Sequence, residues 1–524
     1  MYNNYYGLYL CKLVILLFLV VQCNKKKDTV SQSERNTLEL PQEEKKEREE
    51  QKRQLFPAGN WSSELDWKTE LDGIGTYSSP VVADLNKDGI KDIVIGSGKM
   101  EFQETDTAVI ALDGKNGEIL WKQGARDQIF GTANLLDIND DEIPEIFIGG
   151  RSGEFKAING KTGGIIWEFF PEGDTLKPGK KGLFNFYNPQ FIADQNNDGL
   201  KDILISNGGD ITVKASDPDR PPGKLLIISS KNGELISEAE VPDGKETYMS
   251  IVTARINKND SYPTIIFGTG GATIGGNLYR VSLEDLLNED ISEAKLLASR
   301  ENKGFIAPPV LADINSDEHY DIIASALEGD ILAIDGKSDS LLWITKFNNV
   351  EAYASLAVGH FNNDKIPDFV TTFSEGVWPY FDNSKQFMLN GINGNVEFRD
   401  SLGAGQISTP VIYDFTQDGI EDALVSINFT ITRDNVVNFN SMLVVYDFKN
   451  GRILQTSDYH PGFNLSSTPW IGDLDNDGLL DIVYTSNTDT KNRFTMNGMR
   501  VIRRNTTVKI NSEIKWGAYM GSNH

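Results

Sequence analysis

The stretch "DLDNDGLLDIVYT" (473–485) places four carboxylates, Asp473, Asp475, Asp477 and Asp481, within nine residues, with Gly478 among them and a run of apolar, β-prone residues directly behind. It recurs at a near-fixed interval, and this recurrence constrains the fold more than any other feature. "DLNKDGIKDIVIG" begins at Asp84, "DINDDEIPEIFIG" at Asp137, "DQNNDGLKDILIS" at Asp194, "DINSDEHYDIIAS" at Asp313 and "DFTQDGIEDALVS" at Asp414. Two eroded copies, "HFNNDKIPDFVTT" from His360 and "RINKNDSYPTIIFG" from Arg255, complete a series of eight. Successive starts lie 53, 57, 61, 58, 47, 54 and 59 residues apart. A period of this size marks a repeat architecture.

Each period carries a second signature. "VIALDGKNGEILWKQ" (109–123), "FKAINGKTGGIIWEF" (155–169) and "ILAIDGKSDSLLWIT" (331–345) read as strand, Asn/Asp/Gly turn, strand, which is a β-hairpin. Trp121, Trp167 and Trp343 end these hairpins, and Trp67 and Trp516 take the same place at the two ends of the repeat region. With a Pro-containing lead-in (Pro80, Pro189, Pro309, Pro410, Pro469), one unit makes about four short strands. Such a sheet cannot bury both faces alone, and radial stacking of small sheets gives a β-propeller. The expected fold is therefore all-β, with eight blades, or seven if the Arg255 unit is not a blade. The C-terminal strands should pair with the N-terminal segment in one mixed blade, because closure removes exposed sheet edges.

Close carboxylates repel unless something positive sits between them. Ca²⁺ takes 6–8 oxygens from carboxylates, amides and backbone carbonyls, and a glycine permits the tight wrap round the ion. The loops predict ligand sets of one pattern. The first is Asp84, Asn86, Asp88, Asp92 and the carbonyl of Ile90; the second is Asp137, Asn139, Asp141, Glu145 and that of Ile143. The third is Asp194, Asn196, Asp198, Asp202 and Leu200; the fifth is Asp313, Asn315, Asp317, Asp321 and His319. The seventh is Asp414, Thr416, Asp418, Asp422 and Ile420; the eighth is Asp473, Asp475, Asp477, Asp481 and Leu479. Glu142 and Glu318 stand where the other four have glycine, so strain is expected there. The expectation is about four to six Ca²⁺ per chain, with the 255 loop empty. The alternative is a solvated Asp/Asn/Gly turn before each strand. Mg²⁺ suits these loops less, since it keeps a strict octahedron and its waters.

The acidic loops resemble those of FG-GAP (VCBS) repeats, the calcium-carrying blades also found in the integrin α-subunit head. The "ALDGKNGEILW" hairpins resemble the blade repeat of pyrroloquinoline-quinone enzymes and of the propeller lipoprotein of bacterial outer-membrane assembly. The resemblance covers about residues 60–520. It implies calcium in the loops and fixes no molecular activity.

The N-terminus reads as a leader over 1–23. The apolar run "LVILLFLVV" (13–21) is too short to span a membrane, which needs ~20 residues, but fits a secretory signal. Cys23 follows, resembling a bacterial lipoprotein signal in which that cysteine is lipidated; Gln22 departs from the small residue usual before it. Residues 24–59 read as a charged tether and 60–524 as the propeller. The cysteines are Cys11 and Cys23, both in the leader region. The propeller therefore lacks disulfides, and its stability must come from blade packing with metal as a supplement.

A net charge of −26 excludes nucleic acid as a natural partner, since phosphate binding needs a basic surface. The six intact loops hold 19 carboxylates at ligand positions, and six Ca²⁺ would bring the charge to about −14. The sequence contains no nucleophile elbow, phosphate-binding glycine loop or His-based zinc signature. "FGTGGATIGG" (267–276) reads as close strand packing. Irregular stretches at 169–189, 207–225, 428–440 and 486–498 interrupt the blades. Loops held on a rigid scaffold commonly bind, so Phe184, Phe186, Tyr187, Arg220 and Lys224 are candidates for a ligand surface, against the alternative that the aromatics only pack. The whole reads as an exported, lipid-anchored, calcium-stabilised propeller that binds a protein or a glycan at a bacterial cell envelope, and a binding module fits its residues better than an enzyme does. The alternatives are a propeller enzyme (polysaccharide lyase or quinoprotein dehydrogenase) and an outer-membrane assembly scaffold.

Overall fold

The computed structural model describes residues 55–521, apart from 153, 170–184, 210–212, 215–220 and 249. Eight antiparallel sheets follow one another along the chain. Blade 1 consists of Val81–Ala83, Asp92–Gly96, Thr105–Leu112 and Ile119–Ala125. Six further blades repeat this order, and the Arg255 unit is a full blade: Val252–Ala254, Thr264–Gly268, Gly276–Ser282 and Lys295–Arg300. The count is thus eight.

Blade 8 closes the ring. Its first three strands are Trp470–Gly472, Leu479–Asn487 and Gly498–Lys509, and its fourth is the N-terminal Ser63–Asp72, in register from Ser63↔Thr506 to Asp72↔Gly498. The place expected for Trp516 is therefore taken by Trp67. Trp516 instead reaches the innermost strand of blade 7, where Ile412 N–H donates to its carbonyl at 2.8 Å.

Second strands such as Asp92–Gly96 and Asp321–Ser325 are buried throughout, because blades stack on both of their faces. This explains their continuous β-branched runs. A separate apolar cluster fills each of the eight spaces between neighbouring blades, including blade 8 to blade 1 (Trp67, Val483, Ile93, Ile110). The tryptophans lock these spaces from the outer strand. Trp67 Nε1 donates to the Gly114 carbonyl of the next blade at 2.8 Å, Trp121 to Gly160 at 2.7 Å, Trp167 to Ser230 at 2.9 Å and Trp343 to Gly391 at 2.8 Å.

Strand alternation fixes two ends. The first–second loops, which are the acidic ones, share an end with the third–fourth turns. The second–third turns and the blade-to-blade connections lie at the other. That second end carries three long extensions, the hairpins Asp368–Val377/Tyr380–Leu389 and Asp422–Arg433/Val436–Asp447 and the segment 488–497, whereas the acidic end carries one, the 283–294 connection with the short helix Leu283–Leu287. The 428–440 stretch, expected to be irregular, is a regular hairpin with Asp434 and Asn435 both at positive φ (49° and 62°) in a two-residue turn. The glycines of 267–276 are packing residues: a Cβ on Gly276 would lie 1.9 Å from the Thr269 carbonyl oxygen.

The packed chain begins before residue 60, since Gln455 Oε1 accepts from Leu55 N–H at 2.6 Å and Trp61 packs on Phe415. At the other terminus the chain leaves blade 8 at the acidic end and turns into the propeller axis. Ile471 N–H donates to Gly517 O at 2.8 Å, Asn188 Nδ2 to the Tyr519 hydroxyl at 3.1 Å, and Met520 is buried with Val252 and Ile322. A cavity of about 120 Å³ remains between this tail and the innermost strands. Among the described residues, no helix is long and apolar enough to cross a membrane.

Candidate metal centres

All six intact loops fold alike. The first Asp receives the N–H of the sixth residue on Oδ2: Gly89 on Asp84 (3.0 Å), Glu142 on Asp137 (2.8 Å), Gly199 on Asp194 (2.8 Å), Glu318 on Asp313 (3.0 Å), Gly419 on Asp414 (2.9 Å) and Gly478 on Asp473 (3.0 Å). The Asp at position five accepts the N–H of position seven at 2.7–3.1 Å, from Ile90 to Leu479. The sixth residue has positive φ in every case, including Glu142 (65°) and Glu318 (67°), as does the fourth. Glutamate in this region is the strain expected from the sequence. The eroded loops at 255 and 360 have no residue at positive φ. Side-chain capping thus folds the loop before any cation is considered.

The carboxylate at position nine turns inward. Asp92, Glu145, Asp202, Asp321 and Asp422 are fully buried, and Asp481 nearly so. Each accepts a backbone N–H from the loop start, such as Leu85 on Asp92 at 2.8 Å and Leu474 on Asp481 at 2.8 Å. In blades 1 and 5 the second oxygen is held by the hairpin turn, with Gly114 N–H on Asp92 at 2.9 Å and Gly336 N–H on Asp321 at 3.1 Å. In blades 3 and 7 that turn begins without such a donor, and Asp202 Oδ1 and Asp422 Oδ1 are buried with no partner. Burial pushes Asp92, Asp202 and Asp481 up to about 6 and Asp422 up to about 8. Orphaned, buried carboxylate oxygens fit a cation.

Among the described residues, Asp473, Asp475 and Asp481 form the group whose ligand oxygens all converge within 4.8 Å. The other five loops have Asn or Thr at position three, so their third carboxylate is missing from this cluster. In three of them the amide approaches position nine instead, with Nδ2 of Asn86, Asn139 and Asn315 at 3.4, 2.8 and 3.4 Å from Asp92, Glu145 and Asp321.

Sequence reasoning missed Arg503. Its guanidinium, 2 % exposed, donates to Asp475 and to Gly114 O (3.0 Å) and lies 3.3 Å from both Asp481 and Asp66. The fourth carboxylate of this loop, Asp475, was the available signal, because extra buried charge demands a counter-charge. Arg500 and Arg504 flank it on the same strand and reach Glu70 and Ser63 of the closing strand at 2.9 Å.

The described members of the proposed ligand surface do not assemble. Phe184 and Arg220, like Cys23, lie outside the described residues. Phe186 is fully buried between blades 2 and 3, and Tyr187 is 7 % exposed with its hydroxyl on Asn185 Oδ1 at 2.9 Å. Lys224 pairs with Glu238 at 2.9 Å. Phe186 is thus a core residue, placed there by the apolar space between the sheets.

A protein family described as FAM234A/B beta-propeller matches residues 67–410, from the closing strand through six whole blades. Human Protein FAM234B is 22% identical over 406 residues, covering 70% of this chain and 59% of that protein. Its mouse counterpart is 22% identical over 395 residues, covering 67% and 57%. The chain spans less than two thirds of these relatives. Among solved structures, the quinohemoprotein alcohol dehydrogenase of Comamonas testosteroni aligns with a TM-score of 0.50 at 13% identity, over 86% of this chain and 78% of that one. The ADHIIG enzyme of Pseudomonas putida HK5 aligns at 0.52 and 11%, over 86% and 77%. These two likenesses concern the fold alone.

Proposed function

Because the chain belongs to the FAM234A/B β-propeller family, we propose that it is a binding module, a calcium-stabilised propeller whose acidic end is structural and whose opposite end engages a protein or a glycan. The observation that carries this reading is the segregation of the two ends. Every acidic loop joins a first to a second strand, and the two long hairpins and the 488–497 segment each join a second to a third, while the acidic end carries one extension of its own, the 283–294 connection with its short helix Leu283–Leu287. Calcium would be held by positions one, three, five, seven and nine of the intact loops. The FG-GAP likeness rests on those positions. The buried, unpartnered oxygens of Asp202, Asp422 and Asp475 favour the loops at 194, 414 and 473. A half-turn of the Asn86 or Asn315 amide would offer oxygen in place of nitrogen.

The N-terminal residues supply the rest of the proposal: export, and a membrane tether through Cys23. The human and mouse relatives do not carry the bacterial envelope with them, so the tether is proposed for an exported membrane face without a named cell. Cys23→Ala protein that still partitions with membranes and bears no acyl mass in the parent would overturn the lipid anchor. The quinone-enzyme alternative is disfavoured by the axial tail. On the acidic side of the axis a cofactor would have to displace Tyr519 and Met520, since the 120 Å³ cavity beside the tail falls below the ~300–1,000 Å³ of ordinary ligand sites.

Two measurements test the reading. Elemental analysis should find four to six calcium ions per chain, and chelation should lower the melting temperature; no calcium and an unchanged melt would reduce the loops to turns. A photo-crosslinker at Trp378, on the extension end, should capture one recurrent partner, whereas one at Lys87, on the acidic end, should not. Capture only from Lys87 would reverse the assignment of the working face.

A further inference from the structure

The residue seven positions before each acidic loop occupies one recurring place, before or at the start of the innermost strand. It is Tyr77, Phe130, Tyr187, Tyr248 and Tyr353 in five blades, and Ile, Ile and Ser in the other three. This place belongs to the blade-to-blade connections, hence to the end opposite the acidic loops. Neighbouring rings touch across blades: Tyr77 to Phe130 at 5.1 Å between centroids, and Phe130 to Tyr187 at 6.1 Å, stacked. Equivalent points on eight blades are 45° apart, so dividing these separations by 2 sin 22.5° sets the rings about 7–8 Å from the axis. Only positions close to the axis can touch in this way. Tyr77, Phe130, Tyr248 and Tyr353 are half-buried, as expected of the wall of an opening.

Carboxylates stand around these rings. Glu101 faces Tyr77, Glu101 and Asp127 face Tyr187, and Glu351 bonds the Tyr353 hydroxyl. The cations among them are already engaged: Arg151 with Glu101 and, at 4.0 Å, with Asp127, and Lys303 with Glu351. Arg493, which donates to the carbonyl of Phe381 beside Tyr353, is faced by Asp382, so four carboxylates against three cations leave the rim negative, within a chain of net charge −26. The tail at Tyr519 and Met520 fills the axis from the other side, so the rim opens in one direction.

We propose that this aromatic, negative axial mouth binds an organic cation, a guanidinium or ammonium group carried by a small molecule or by the side chain of an extended peptide. Aromatic faces attract such cations through the ring quadrupole, and the surrounding carboxylates add long-range attraction and repel anions. Rings this close to the axis leave room for one extended chain and exclude a folded domain. The proposal deepens the binding-module reading by naming the ligand chemistry.

The test is calorimetry on the full chain in saturating calcium. The probes are N-acetyl-arginine methylamide, tetramethylammonium, and two eight-residue peptides, Arg/Gly and Glu/Gly. The Arg peptide should bind and the Glu peptide should not. Tyr77→Leu and Tyr353→Leu should each weaken binding about threefold to tenfold, Tyr353→Phe should retain it within about twofold, and Glu293→Gln, on the acidic end, should leave it unchanged. Binding by the small cations assigns a free ligand, and binding by the peptide alone assigns a peptide. Equal affinity in well-folded Leu variants, or equal binding of the Glu peptide, overturns the proposal. Should the Leu variants not fold, a benzophenone-bearing Arg peptide on the native protein decides: crosslinks near Tyr77 or Tyr353 support the site, and crosslinks elsewhere refute it. Crosslinking from Trp378 remains a separate readout, so this site can fail while the binding-module reading stands.

Discussion

Arg503→Met should destabilise the calcium-free protein strongly and the calcium-loaded protein much less. The guanidinium lies 3.3 Å from Asp481 and from Asp66 and donates to Asp475. At an effective dielectric constant of ~20, one charge pair at 3.3 Å is worth about 5 kcal/mol before desolvation. Methionine keeps most of the volume but leaves the buried Asp481 and the half-buried Asp475 without a counter-charge. Breaking a buried pair from one side costs about 3–5 kcal/mol. Asp481 is already pushed up to about 6 by burial, with Arg503 pulling it back down, so the variant should take up a proton near neutral pH when no metal is present. Calcium coordinated by Asp473, Asp475 and Asp481 would replace the lost cation. The assay is urea unfolding of both proteins, in chelator and in millimolar calcium, with midpoints compared at constant slope. The expected deficit is about 3–5 kcal/mol in chelator, at least halved in calcium. Equal deficits in both conditions would refute the idea that arginine and a metal ion act on the same carboxylates.

Three smaller perturbations probe other parts of the molecule. Glu318→Gly should stabilise by about 0.5–1 kcal/mol, because a left-handed φ of 67° strains glutamate more than glycine's extra unfolded entropy costs; a lower urea midpoint would contradict this. His460 is half-buried beside Arg500 and Arg504, and desolvation first, then those charges, pushes its pKa down to about 3. Its folded value lies below its unfolded one, so its contribution to stability is complete above pH ~6.5 and is lost as pH falls towards 3, by up to about 1.4 kcal/mol per unit. His460→Gln should flatten that limb of the stability profile, and an unchanged slope between pH 6.5 and 4.5 would count against it. Trp343→Phe removes the indole donor to Gly391 O while keeping most of the buried area, and should cost about 1–2 kcal/mol; no measurable change would mean the blade lock is apolar only.

The propeller was legible because its repeat is written twice per blade, in an acidic loop and in a hairpin. Position six of the loop carried its backbone conformation in the choice of glycine, and the two glutamates there adopt the same φ because the first aspartate still captures their N–H. The closure was legible from Trp67 standing alone before the first repeat. Trp516 misled, since a tryptophan after a strand fits either an outer edge or an axial tail; what decided was that Ser63–Asp72 already held the edge. Phe186 misled because aromatics beside a Pro- and Lys-rich stretch read as surface, while the space between sheets is invisible in one dimension. Arg503 was hidden for the same reason, as its three carboxylate neighbours come from residues 66, 475 and 481. The axial ring was hidden differently: its period was present, but only the ring contacts revealed which way the residues face.

Closure by distant strands also has a history in time. The strand Ser63–Asp72 is made early, yet its partner Gly498–Lys509 appears only after residues 73–497 have been synthesised. At ~5–20 residues per second, the first strand waits roughly 20–90 s on the ribosome. Throughout that interval its Trp67, its Leu71 and an open row of backbone donors and acceptors have no sheet to join. A nascent chain of this design therefore needs shelter for its beginning until its end has emerged.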